Sequence, residues 1–107
     1  MSDLPERDWK LLQKLKPVLL DRLCGQILQH AVDTAGKPGM TNHDRYLKLF
    51  HLIQEQNQEI AFAFDNHRRS TALMKILQLR KIGLFTAEEF SKFSEKTREI
   101  ILSIQSR

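Results

Sequence analysis

The chain has 107 residues, enough for one domain with a modest core and too few for a deep enclosed active site. A 41% hydrophobic share excludes a disordered chain, and no apolar run approaches the ~20 residues of a membrane span. Seventeen Lys and Arg against thirteen Asp and Glu leave a net charge of +4, weaker and less concentrated than that of most nucleic-acid binders.

The single cysteine, Cys24, has no internal partner, and Met1–Lys10 is too polar for a signal peptide, so a reducing cytoplasm is the simplest expectation. At the start, Asp3 with Glu6 reads as an N-cap, and Pro5 is tolerated in an opening turn. Trp9, Leu12 and Leu15 follow at helical spacing until Pro17, which lacks an N–H and disfavours helical geometry at Lys16. Pro17 either kinks one helix or begins another; the pattern favours a fresh helix from Pro17 to about Thr34. Val18, Leu20, Leu23, Ile27, Leu28, Ala31 and Val32 give that helix an apolar stripe. Gly36-Lys37-Pro38-Gly39 is the one clear loop.

Thr41 predicts the next N-cap, with Asp44 in the first turn where a negative charge suits the helix dipole. Tyr46, Leu49, Phe50, Ile53, Ile60 and Phe64 then fall on one face, and no Gly or Pro appears before Gly83. An unbroken helix here would be about 40 residues and ~60 Å long. The polar stretch Asp65–Ser70 offers a break, with Ser70 a candidate cap for the next helix. Gly83 suits the left-handed residue that closes a helix. Thr86 and Glu89 have the spacing of a capping box, and Phe85 and Phe90 that of a hydrophobic staple. No strand signal or internal repeat appears. The expectation is one all-α domain over residues 1–107, a bundle of four to six helices with a long central helix, broken or not near Asp65–Ser70.

Leu73–Ile82 is apolar on nearly every side, so it needs cover all round. Either the chain's own helices enclose it, or one side packs against a second copy, most simply as a homodimer, or against another helical protein. Leu73, Ile76 and Leu79, followed by Gly83, Thr86, Glu89 and Phe90, resemble the short C-terminal oligomerisation module called SHOCT. The resemblance covers residues 73–102 and implies self-association; the chain departs from the module by continuing through Ser94–Ile104. No family is recognised for the whole chain. The expected interaction surface is Leu73, Ile76, Leu77, Leu79, Ile82, Phe85 and Phe90.

The competing reading is a nucleic-acid or phosphate-binding module. Arg68, Arg69, Lys75, Arg80 and Lys81 cluster without an acidic residue from Asn66 through Ala87, and Asn66 and His67 could join Arg68 and Arg69 on phosphate oxygens. The charges do not form one stripe, however, and no aromatic residues interleave for base stacking. A recognition helix from Thr86 would also carry Glu88, Glu89 and Glu95 toward phosphates. A third class, a small enzyme or metalloprotein, would use His51, Glu55 and Glu59 at i, i+4 spacing, or Cys24 as nucleophile. No second ligand motif accompanies the first, and Cys24 sits among Leu23 and Ile27 as a small hydrophobe. Neither a catalytic residue nor a metal or cofactor site is expected.

Overall fold

In a computed structural model, which describes residues 4–65 and 68–106, the chain is all-α. Among the described residues five α-helices occur in order: α1 Glu6–Ala35, α2 Asn42–Phe64, α3 Ala72–Lys81, α4 Ala87–Ser91 and α5 Glu95–Gln105, with a 3₁₀ turn at Arg69–Thr71 before α3. The Asp3 cap and the paired role for Asn66 and His67 lie outside the described residues. Pro5 is the residue that precedes α1, with Glu6 and Asp8 in the first turn.

Helix α1 corrects the expected restart at Pro17: it runs unbroken through that residue for 30 residues. At 1.5 Å per residue it is about 45 Å long. Leu12, Leu19, Leu23 and Ile27 are buried along one side of it, on both sides of the proline in sequence, while Pro17 itself is exposed. Packing on the buried side holds the axis, and the lost N–H falls on the solvent side, where water can satisfy the freed carbonyl.

The long second helix is broken, ending at Phe64 with Asp65 in an extended conformation. Ser70 does not cap α3; it lies inside the 3₁₀ turn, and α3 begins after Thr71. The Thr41 cap forms as expected, its hydroxyl accepting from the Asp44 N–H at 3.0 Å. Arg45 then ties down the α1–α2 loop by donating to the carbonyls of Lys37 and Met40, both at 3.2 Å.

Gly83 closes α3 at φ +75°, a conformation that a Cβ would oppose. The Leu84 N–H reaches back to the Leu79 carbonyl at 3.1 Å and the Gly83 N–H to that of Arg80 at 3.0 Å, the paired bonds of a Schellman motif. The Thr86–Glu89 capping box forms in both directions, at 3.0 and 2.9 Å. Phe85 and Phe90 staple the corner with ring centroids 6.3 Å apart, and Phe93 meets Phe85 edge-on at 5.6 Å.

The molecule is elongated, 52 × 26 × 24 Å, because α1 and α2 form an antiparallel hairpin longer than the helices packed on it. The core joins Leu12, Leu19, Leu23 and Ile27 of α1 to Phe64 of α2, Ile76 and Leu79 of α3, and Leu84, Phe93 and Ile101 beyond. Among the described residues, nothing in α1 after Ile27 and nothing in α2 before Ala63 is buried.

Replacing Pro17 tests the continuous helix. A proline costs up to about 3 kcal/mol in a helix interior, against which it restrains the unfolded chain. Pro17→Ala restores the N–H while keeping the helical geometry, so it should raise the melting temperature by several degrees. A lower melting temperature would show that the restraint on the unfolded chain outweighs the hydrogen bond that the proline removes.

Candidate functional site

Two polar clamps fasten the C-terminal helices to α1. The first is Asp8, which is fully buried. Its Oδ1 accepts the Ser94 N–H at 2.8 Å, and its Oδ2 accepts the hydroxyls of Ser94 and Thr97, both at 2.6 Å. Ser94 is the N-cap of α5, so a carboxylate from α1 sits at the positive end of that helix dipole. Three hydrogen bonds satisfy a group that would otherwise be costly to bury. The second clamp is Arg22, whose guanidinium donates to both Glu89 carboxylate oxygens, at 2.7 and 3.1 Å, and to the Leu84 carbonyl. The Arg22 hydrogen bonds are the largest cause holding the Glu89 carboxyl down at about 2; partial burial opposes them and the Thr86 N–H assists. The same bonds raise Arg22 above the ordinary guanidinium value.

The residues expected as metal ligands or as a nucleophile lie apart from these clamps. His51 lies exposed on α2 against the Phe50 ring, with centroids 5.7 Å apart. Glu59, its expected co-ligand, accepts from the Gln78 amide at 3.0 Å. Among the described residues, no three His, Cys, Asp or Glu side chains gather closely enough to hold a metal ion. Cys24 is half-buried between α1 and α2.

The basic cluster is dispersed. Arg69 donates through Nε to the Leu4 carbonyl at 3.0 Å. Arg80 bonds the Gln105 side chain and lies 4.6 Å over the Phe90 ring. Lys75 bonds the Phe62 carbonyl and lies 4.8 Å over that residue's ring. Only Arg68 and Lys81 of the five are left exposed without such a side-chain partner among the described residues.

Of the seven residues of the apolar surface expected around α3, three are interior and four are half-buried. Leu73, Ile76 and Leu79 are buried in the chain's own core. Leu77, Ile82, Phe85 and Phe90 pack on that core half-buried. Phe85 and Phe90 line an open cleft of about 500 Å³ with Arg80, Arg98 and Leu102.

The larger uncovered surface is elsewhere, on the free end of the hairpin. Leu28 is 64% exposed and Val32 66% on α1; on α2 Tyr46 is 65%, Phe50 50% and Ile53 38% exposed. Leu28 and Ile53 line a groove of about 210 Å³ between the two helices, together with Cys24, Ile27, Asn57 and Ile60. Val32 stands one turn beyond Leu28, and Phe50 and Tyr46 one and two turns from Ile53, so the strip continues along the same side toward the loop. Periodicity placed these residues on one face of each helix but could not show that nothing covers them. No family model, curated protein or solved structure matches this chain.

The Arg22–Glu89 pair sets a pH dependence. Glu89 has a folded value below its unfolded one, so the unfolded chain binds the extra proton as pH falls, and stability is lost with it. The contribution should be complete above roughly pH 5 and decline toward pH 2. Glu89→Gln should cost about 2 kcal/mol at neutral pH and flatten the acid limb of a urea-denaturation profile. An acid limb identical to wild type would place that dependence on another group.

Proposed function

We propose that the chain is a non-catalytic helical interaction protein that self-associates, most simply as a homodimer in a reducing cytoplasm. One observation carries the reading: an apolar strip formed by two helices, continuous over several turns, that the chain's own core leaves uncovered. Monomeric soluble proteins rarely expose contiguous apolar patches larger than a few hundred Å². The resemblance of residues 73–102 to an oligomerisation module supports the same class of function, and Leu77, Ile82, Phe85 and Phe90 of that stretch remain half-buried. Phosphate or nucleic-acid binding is the lesser reading, since Arg69, Lys75 and Arg80 are engaged within the fold and only Arg68 and Lys81 of the cluster stand clear among the described residues.

Sedimentation velocity over a hundredfold dilution tests self-association. The expected result is a species heavier than the 12.5 kDa chain that shifts toward that mass on dilution. A melting temperature that rises with protein concentration should accompany it. A single 12.5 kDa species throughout would contradict the proposal. Salt-dependent retention on nucleic acid by the same sample would favour the lesser reading.

A further inference from the structure

We infer that the free end of the α1–α2 hairpin is the surface that binds a second copy, two hairpins closing into a four-helix bundle. The inference rests on the self-association proposed above and adds where the copies meet. A single layer of two helices cannot bury the apolar side of either, and such a side is stable only when another layer covers it. On one side of the hairpin, where Leu12, Leu19 and Leu23 point, α3 and α5 are that layer. Leu28 and Val32 point about 140° or more around α1 from Leu23, on the side of a groove that no residue of α3–α5 lines. Beyond Ile27 on α1 and before Ala63 on α2, the chain supplies none among the described residues.

The area fits a copy of the same surface. An aromatic side chain can bury roughly 150–250 Å² and an aliphatic one somewhat less, so the observed exposures of Leu28, Val32, Tyr46, Phe50 and Ile53 leave roughly 400–600 Å² to cover per chain. Two chains together would bury roughly 800–1,200 Å² through these side chains, and a polar rim added around them brings the pair into the range of stable interfaces. A two-fold pair uses one patch twice, so a single self-complementary strip suffices. Aromatic residues beside aliphatic ones, as in Tyr46 and Phe50 beside Leu28 and Ile53, match the composition of interface cores.

The charge agrees. Between residues 28 and 53 the charges are Asp33 and Asp44 against Lys37, Arg45 and Lys48, nearly balanced within a chain of net charge +4. Two such arms meet without strong like-charge repulsion. An arm that lay on an anionic membrane would carry a strongly basic polar face, which this one lacks. The loop is already held by Arg45 and the Thr41 cap, so the surface is ordered before it pairs and little entropy is lost on contact.

Charge-introducing variants decide the matter, because the residues are exposed and the monomer fold does not depend on them. Leu28→Glu and Phe50→Glu would each bury a carboxylate in the paired state. Each should weaken self-association in sedimentation by roughly thirtyfold or more, as expected of a hot-spot loss, while circular dichroism stays helical. Leu102→Glu, in the cleft beside Phe85 and Phe90, should leave the dimer intact. If wild type self-associates and Leu102→Glu alone dissociates it, or both hairpin variants still pair, the hairpin assignment is overturned while self-association stands. A wild type that stays monomeric overturns both proposals. A monomeric wild type that binds phosphatidylserine vesicles through Phe50 would assign the strip to a membrane instead.

Discussion

Helix α1 spans about 45 Å, while the three helices that pack against it, α3, α4 and α5, have only 10, 5 and 11 residues. A few short helices cannot cover the whole length of such a rod. The chain covers one end well and leaves the other as a bare hairpin with α2. The elongated shape and the one-sided core result from this mismatch, while the strip at Leu28 and Phe50 lies on a side of the hairpin that α3–α5 do not face.

Polar contacts fix where the covered end lies. Hydrophobic packing of Leu12, Leu19 and Leu23 would tolerate some sliding along α1, whereas the hydrogen bonds of Asp8 and Arg22 would not. Asp8 sets the start of α5 beside the first turn of α1. Arg22 sets the α3–α4 corner about four turns further along, through the same Glu89 that completes the capping box. Glu89 thus closes its own helix and holds that helix on α1. Losing it loosens both, because the groups share one network.

The features legible in the sequence are those decided within a few residues. Gly83 closing α3, the Thr86–Glu89 box, the Phe85–Phe90 staple and the Thr41 cap need only i to i+5 contacts, and all of them form. Pro17 misleads because its local preference for a helix start is outweighed by Leu12 and Leu19 packing on either side of it. The Asp8 clamp joins residues 86 and 89 positions apart, and no local pattern distinguishes Asp8 from any other acidic residue in a first turn. Periodicity assigns Leu23 and Leu28 to one broad apolar stripe, yet they lie about 140° apart around α1, and the first is buried while the second is bare. Spacing tells how wide the apolar arc of a helix is; which part of that arc is covered depends on α3–α5, more than 40 residues later. For the same reason Ile76 and Leu79, candidates for a surface by composition, became the interior.

Amide hydrogen exchange as a function of protein concentration tests the central claim most directly, because it reads each part of α1 separately. If a second copy covers the free end of the hairpin, amides of residues 28–35 and 42–53 should exchange more slowly in concentrated than in dilute protein. Amides around Leu12–Leu23 and in α3, protected by the chain's own core, should change little by comparison. Equal exchange of the hairpin end at all concentrations, with the core protected throughout, would contradict the account.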